Sequence, residues 1–348
     1  MFIYWALFLV LATGSLLSQE RDENGRSALM LVTLASIPTA LMIGLRWQIG
    51  PDWVAYSDIF NYTKLYSFSQ SVAHQDPGFM VLNWLLHQVH APLWTLNLVC
   101  GAIFVAGLTA FSLRQPNPWL AFLVAYPYLV IVVAMSGDRQ SLALGLLFFA
   151  LNAFERQQLF RFVCLIVIAA LFHGSILLIL PLCLLSFTRN GLQRALLLAI
   201  VVLLGFYYFQ DIFSIYARRY SSEKIQSTGV AYRLAMNTMA ALIFLLFQRR
   251  FELAEHLAKL WRNISLATLG LVLLLLVFPS STAIDRFLLY LFPLQFVVLS
   301  RVPRIFTPNH EPAGQITFIV IGYAALVQVT FLVFGTYASY YIPYRSIL

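Results

Sequence analysis

Hydrophobic residues make up 61% of the 348-residue sequence and charged residues only 10%, against about 25% charged in an ordinary globular domain. A soluble protein of this length could not bury so much apolar side chain. The apolar residues form continuous runs, such as 195–209 and 264–278, rather than the alternating pattern of barrel strands. The net charge of +8 comes from basic residues between these runs, which is typical of membrane proteins and not of nucleic-acid-binding proteins. The composition therefore predicts an all-α polytopic integral membrane protein.

The apolar runs predict a bundle of about 11–12 membrane helices. Several runs are shorter than the roughly 20 residues that a perpendicular membrane helix needs. No linker or internal repeat marks a second domain, so we expect one transmembrane domain over residues 1–348. The candidate spans are residues 2–18, 27–45, 92–113, 118–135, 139–154, 157–172, 175–188, 195–209, 231–247, 264–280, 286–300 and 315–336.

Arginine and lysine residues between the spans predict the orientation, because cytoplasmic loops are enriched in both. The segment 248–263 is the clearest cytoplasmic loop, since it contains several basic residues. The basic residues of the other short loops fall on the same side if both termini face outside. The outer side then contains the segments 46–77, 136–139, 210–230 and 279–285.

The apolar stretch 160–186 has basic residues near both of its ends, which conflicts with a single long span. Its centre contains His173, Gly174 and Ser175. Gly suits the left-handed residue that follows a helix, and Ser suits the N-cap of the next helix. We therefore predict two short helices in a tight hairpin with His173 at its outer tip.

The longest outer segment, residues 46–90, is predicted to be a periplasmic loop that is polar up to Pro77. The thirteen residues 78–90 include Trp84 and two histidines. This length and pattern favour an amphipathic interfacial helix over a membrane span.

Charged residues near the membrane are costly and indicate functional sites by default. Here they cluster on the predicted outer side, where several arginines and a few carboxylates suit an anionic ligand presented from the lipid. The simpler interpretations are that each arginine is a snorkelling anchor, each aspartate caps a helix, and His173 holds a turn. Arg139 and Arg286 favour the ligand, since both are predicted near helix N-termini, where a cation is unfavourable unless an anion compensates it. No histidine spacing predicts a metal site.

Five short motifs occur in order between about residues 40 and 290. They are Arg46-x₃-Gly50-x-Asp52-x₃-Tyr56, Asp76-Pro77-Gly78-Phe79, Arg139-Gln140-Ser141-Leu142-Ala143, Phe172-His173-Gly174-Ser175, and Asp285-Arg286 with Tyr290. In order and spacing, together they resemble the signature of the EpsG-like, Wzy-type polysaccharide polymerases. Asp76 stands where that family has glutamate, which keeps the charge but shortens the side chain by one methylene.

The resemblance implies a glycosyltransferase of the bacterial inner membrane with a GT-C-like helical bundle. Such enzymes polymerise O-antigen or exopolysaccharide repeat units that are carried on undecaprenyl diphosphate. The active site would face the periplasm. The implied partners are the lipid-linked oligosaccharide, the lipid bilayer, a chain-length regulator and a flippase, and no cofactor, metal or nucleic acid is expected.

The resemblance also suggests a role for each candidate residue. Arg46, Arg139 and Arg286 would stabilise the diphosphate leaving group, and His173 or Asp52 would accept the proton of the attacking sugar hydroxyl. The expected substrate-binding residues are Tyr56, Asp76, Gln140, Arg218, Arg219, Asp285 and Tyr290.

Two other classes remain open. A lipid-linked glycan ligase, or another membrane glycosyltransferase, would share the arginine-rich cavity and use a different acceptor. A transporter or flippase would be expected to show repeated halves and charges near the middle of its spans, and neither is visible in the sequence.

Overall fold

A computed structural model of the chain describes residues 1–18, 26–187, 191–193, 195–200, 203, 229–277, 281–307 and 313–347. The chain forms two compact units. Unit 1 comprises Met1–Gly174 and Leu299–Leu348, and unit 2 comprises Ser175–Val298.

The helices of the described residues follow the apolar runs of the sequence. Those used below are α1 (Phe2–Leu17), α2 (Arg26–Gly44), α3 (Trp53–Thr63), α4 (Phe68–Val72), α5 (Pro77–Gln88), α6 (Leu93–Ser112), α7 (Pro118–Ala134), α8 (Asp138–Glu155), α9 (Leu159–Ala170), α10 (Gly174–Leu184), α11 (Val230–Phe251), α12 (Glu255–Val277), α13 (Ser281–Leu288), α14 (Pro293–Leu299), α15 (Val302–Ile305) and α16 (Gly314–Phe334). Helices α2, α7 and α16 include π-helical turns, and α10 and α11 include 3₁₀ turns.

The all-α membrane architecture predicted from composition is confirmed. Six helical stretches of the described residues are long and apolar enough to cross a membrane, and shorter apolar helices include α1, α7, α9 and α10. Many large apolar side chains remain exposed on these helices, among them Phe2, Leu276 and Ile319. Such apolar surfaces are unfavourable in water, whereas lipid solvates them. The predicted span 195–209 lies largely outside the described residues.

In unit 1, close helix packing depends on small residues. Gly107 of α6 and Gly145 of α8 face one another so closely that a Cβ on either would collide with the backbone of the other helix. Membrane helices lack a hydrophobic driving force between them, so such close approach provides much of the association. The buried rings of Phe104 and Phe148 extend the same α6–α8 interface, with centroids 6.2 Å apart.

Two groups of polar contacts in unit 1 mark its two opposite ends. At one end, the Tyr4 hydroxyl donates to the Tyr341 carbonyl, and Arg46 forms an antiparallel bridge with Ser346; we call this the Arg46 end. At the opposite end, Asn117 donates to the Ser15 carbonyl, and similar contacts join Trp119 to Ser27, Arg114 to Glu155 and Arg301 to Gln115. Both termini thus lie at the end that contains Arg46, as the predicted topology has them.

The helix predicted over residues 78–90 is present as α5, with 12 residues. At 1.5 Å per residue it is about 18 Å long, too short to cross the roughly 30 Å hydrocarbon core. Its Phe79 and Met80 are buried in a cluster with Tyr56 and Phe60 of α3. This face of α5 therefore packs against α3, and its location at the membrane interface stays a prediction.

Unit 2 is built around α11, which packs against α12 and α13. The prediction that residues 248–263 form a loop is wrong, because α12 begins at Glu255. An ion pair between Glu255 and Lys259, one helical turn apart, supports this polar extension of the helix. A search for apolar runs cannot predict polar helical turns that extend a helix beyond its apolar run.

The predicted helix break near His173 is confirmed, but its capping is wrong. Helix α9 ends at Ala170, and a 3₁₀ turn starts at Gly174. Gly174 does not have a positive φ, and Ser175 lies within the 3₁₀ turn. The amides of Phe172 and His173 both donate to the Ala169 carbonyl. These tight bonds end the helix without a left-handed residue.

Candidate active site

A buried ion pair joins Arg46, just after α2, to Asp138 in the first turn of α8. Nη2 of Arg46 donates to Oδ1 of Asp138 over 2.7 Å, and Nη1 donates to the Ile43 carbonyl over 2.7 Å. The two side chains are only 2% and 1% exposed. Nε of Arg46 and Oδ2 of Asp138 are buried without a hydrogen-bond partner among the described residues. The pair fixes the end of α2 against the start of α8.

The next residue of α8, Arg139, pairs with a different segment. Its Nη1 donates to Oδ2 of Asp76 over 2.5 Å, and its Nε donates to the Tyr56 hydroxyl over 3.4 Å. Its third nitrogen, Nη2, makes no hydrogen bond within the described part of the chain. The Arg139 side chain is 33% exposed, so this guanidinium is held in place and still accessible.

The aromatic rings beneath Arg139 fix its orientation. The guanidinium carbon lies 5.6 Å from the Tyr56 ring centroid and 5.9 Å from that of Phe79, within the range of a cation–π contact. The two rings meet edge to face. Burial raises the pKa of Tyr56 to about 12, although the Arg139 guanidinium opposes this shift. The phenol is therefore neutral near pH 7 and can accept the hydrogen bond from Arg139.

Asp52 and Asp76 occupy the N-cap positions of α3 and α5, yet neither side chain caps its helix. The Asp76 carboxylate is directed to Arg139, and Asp52 accepts a hydrogen bond from the Ser136 hydroxyl over 2.7 Å. Both carboxylates thus approach the start of α8 from the 46–77 segment. Asp52 remains exposed, so its carboxylate is accessible to a bound molecule.

The turn that carries His173 is attached to the start of α5. The Gly78 amide donates to the Leu171 carbonyl over 2.8 Å. A Cβ at Gly78 would lie 2.9 Å from Leu171 Cβ, so only glycine permits this approach. Phe172 packs on the cluster that contains Tyr56. His173 itself is half-buried and follows directly. The structure therefore brings the first four sequence motifs together at the Arg46 end of unit 1.

In unit 2, Asp285 forms a two-pronged ion pair with Arg233. Nε and Nη2 of Arg233 donate to Oδ1 and Oδ2 of Asp285 over 2.7 and 2.9 Å. The prediction that Asp285 and Arg286 open a helix is wrong, because α13 begins at Ser281 and Arg286 lies in its last turn. Arg286 therefore is not a cation at a helix N-terminus, and its position does not call for a compensating anion. Its side chain is exposed.

Residues 29–346 match the EpsG family, which covers nearly the whole chain. The chain belongs to the EpsG family. No curated protein and no solved structure matches it.

Membership in the EpsG family makes the chain a polysaccharide-polymerase-like membrane protein. The match includes all the predicted site residues, but the structure does not describe all of them. Arg218 and Arg219 lie outside the described residues. Gln140 is half-buried one residue beyond Arg139, and Tyr290 is buried with its hydroxyl 3.2 Å from that of Ser175.

Sequence reasoning missed two features of this EpsG family protein. The first is Arg233 as the partner of Asp285; only its position near the start of a span could have suggested it. The second is the C-terminal segment. The Trp47 amide donates to the Arg345 carbonyl, and the Ile347 amide donates to the Leu45 carbonyl, each over 3.0 Å. Residues 340–347 carry no family motif, so no signal in the sequence indicated this contact.

Proposed function

We propose that this protein polymerises lipid-linked oligosaccharide repeat units. The anomeric carbon of the growing glycan would be attacked by a hydroxyl of the incoming unit. The new glycosidic bond forms as the bond from that carbon to the polyprenyl diphosphate breaks. The hydroxyl proton passes to a base on the protein, and the diphosphate carrier leaves as an anion. The reaction would take place at the periplasmic face of a bacterial inner membrane.

The observation that carries this proposal is the placement of Arg139, whose side chain is both fixed by its neighbours and accessible. Its guanidinium is accessible, held by Asp76 and Tyr56, and located at the start of α8, where the helix dipole is positive. A pre-oriented cation at a helix N-terminus suits a diphosphate leaving group, because negative charge develops there in the transition state. No step of this chemistry requires a metal ion.

Arg46 has a different role in this proposal from the one predicted by the motif. Its guanidinium is buried against Asp138, so it positions the start of α8 rather than contacting the carrier. Arg286, which is exposed, stays a predicted diphosphate ligand.

Two side chains compete for the role of base. Asp52 is exposed and hydrogen-bonded to Ser136, three residues before Arg139. His173 follows the turn attached to Gly78. Either group would need hydrogen-bond reach to the acceptor hydroxyl. The remaining predicted partners are the flippase and the chain-length regulator, which would supply units and set polymer length.

The test is a deletion strain of the source bacterium, with its surface polysaccharide separated by gel electrophoresis. A polymerase deletion should lose the long chains and retain single repeat units on their lipid or surface anchor. A ligase deletion would leave long chains on the lipid carrier, and a flippase deletion would trap units at the cytoplasmic face. Either of these two results would overturn the proposal.

A further inference from the structure

A cavity of about 490 Å³ opens at the Arg46 end of unit 1, between the 48–58 segment and the C-terminal segment. This volume lies within the range of about 300–1,000 Å³ that small-molecule sites occupy. The lining combines two aromatic rings with hydrogen-bonding groups of both charges. Its principal residues are Gln48, Trp53, Asp58, Tyr340 and Arg345.

The walls of the cavity are held by specific contacts. The Gly50 amide donates to the Tyr340 carbonyl over 3.1 Å, and Arg345 donates to the Gln48 side chain over 3.4 Å. Gln48 has a φ of 53° and Gly50 a φ of 93°, both left-handed. A left-handed non-glycine residue is strained, and such strain concentrates at functional sites.

Trp53 is fixed from two sides. Its ring centroid lies 5.9 Å from the guanidinium carbon of Arg46 and 5.6 Å from the Trp47 ring. Gly50 also lines the cavity, and its Cβ position lies against the backbone of Met135 and Ser136, which lead directly into α8. Arg139, in the first turn of α8, is the proposed diphosphate ligand, so the cavity wall adjoins the segment that carries it.

The chemistry of the lining selects one class of ligand. The Asp58 carboxylate would repel a phosphate group. A lipid tail would leave the charged side chains of Asp58 and Arg345 without hydrogen-bond partners. A sugar meets both conditions, because its C–H face covers an aromatic ring while its hydroxyls bond to carboxylate, guanidinium and amide groups. We propose that this cavity binds one sugar of the saccharide substrate, a subsite whose role in catalysis rests on the proposed function.

The test uses purified protein in lipid nanodiscs and saturation-transfer NMR. The probe is a set of lipid-free, phosphate-free oligosaccharides obtained by partial hydrolysis of the source organism's own surface polysaccharide. Wild-type protein should transfer saturation to sugar protons. Asp58→Ala and Tyr340→Ala should each weaken the binding about tenfold, as expected for the loss of a charged hydrogen bond or a stacked ring.

Tyr62→Ala is the matched control, since Tyr62 and Tyr340 are both exposed tyrosines and, of the two, only Tyr340 lines the cavity. Its binding should stay within twofold of wild type. Equal losses at Tyr62 and Tyr340, unchanged binding in both cavity variants, or no transfer to any fragment in wild type would each overturn the subsite.

Arg139→Ala separates this proposal from the polymerase proposal. The fragments lack a diphosphate, so Arg139→Ala should bind them as wild type does. If that variant binds fragments and still makes full-length polymer, the diphosphate role fails and the sugar subsite stands. If it makes no polymer while the cavity variants bind normally, the subsite fails and the diphosphate role stands.

Discussion

Asp138 and Arg139 are consecutive residues of α8, yet their side chains form ion pairs with two different segments. Asp138 pairs with Arg46 at the end of α2, and Arg139 pairs with Asp76 at the start of α5. The first pair is almost wholly buried, whereas a third of the Arg139 side chain is exposed. Adjacent residues of one helix therefore differ in their surroundings: Asp138 belongs to a buried ion pair, whereas the Arg139 guanidinium is held in place and accessible.

The first prediction concerns Arg139. Arg139→Ala should abolish polymerisation while the protein still inserts, although Asp76, whose side chain is only 10% exposed, loses its ion-pair partner and the protein loses some stability with it. Loss of one such charge-stabilising group usually costs about 10²–10³-fold in rate. Arg139→Lys should rescue activity only in part, since an ammonium cannot form the two-pronged contact to phosphate. Polymer length on gels and protein abundance in membranes are the measurements.

Arg156→Ala provides the matched control for Arg139. Arg156 follows the other end of the same helix, α8, and is also exposed. It should make polymer of normal length. Full-length polymer from Arg139→Ala, or equal losses in both variants, would remove Arg139 from the reaction.

The second prediction concerns the Arg46–Asp138 pair. Arg46→Ala or Asp138→Ala should destabilise the protein by about 3–5 kcal/mol, because each leaves an uncompensated charge in a buried site. The expected signs are low abundance in the membrane and a lowered unfolding temperature in nanodiscs.

The double variant Arg46→Met with Asp138→Leu tests the same explanation. It should recover much of the lost stability, since apolar side chains of similar size often replace a buried ion pair without cost. Double and single variants that are equally unstable would show that the charge argument is incorrect.

Much of the fold was predictable because helices that are solvated by lipid appear in the sequence as long apolar runs. Helices α1, α2, α6 and α7 begin and end within a few residues of the predicted spans. The grouping of the first four motifs was predictable from the topology of the spans. Residues of successive helices can meet at one end of the bundle only when the helices alternate in direction, and the basic loops predicted that alternation.

The remaining features depend on contacts that have no periodic signal. The contact between the C-terminal segment and residues 45–50 consists largely of backbone hydrogen bonds, which leave no signal in the residue types. Whether a charged side chain is buried depends on its partner. Arg46 and Arg139 look alike in the sequence. They differ in how deeply their partners are buried, since the Asp138 side chain is 1% exposed and that of Asp76 is 10% exposed. The polar turns of α12 were missed for a similar reason, since Glu255 and Lys259 resemble loop residues.

The third prediction concerns membrane sidedness. His74, in the 46–77 segment, and Ala254, between α11 and α12, are both exposed. In a background with Cys100, Cys164 and Cys183 replaced by alanine, His74→Cys should react with a membrane-impermeant maleimide in intact spheroplasts. Ala254→Cys should react only after permeabilisation, because basic loops are retained in the cytoplasm. The reverse pattern would invert the proposed orientation.

The fourth prediction concerns the turn that holds His173. Gly78→Ala should displace this turn, since the added Cβ would lie 2.9 Å from Leu171 Cβ and 3.1 Å from the Leu171 carbonyl oxygen. We expect a lower polymerisation rate per folded molecule. Gly322→Ala is the control, because Gly322 has open space around its Cβ position and lies in α16. Alanine there should be neutral or slightly stabilising.

The last prediction concerns His173 as the base. His173→Ala should lower the rate by about 10²–10⁴-fold, the usual range for general-base catalysis. A histidine base acts only when it is neutral, so the wild-type rate should fall as the pH decreases through the titration of the imidazole. His173→Ala should lose that acidic limb of the pH profile along with its rate, which a purely structural role would not produce. If His173→Ala lowers abundance and leaves the rate per folded molecule intact, the histidine only holds the turn. Asp52→Asn should then cause the larger loss of rate, because Asp52 is the other exposed acceptor near the start of α8.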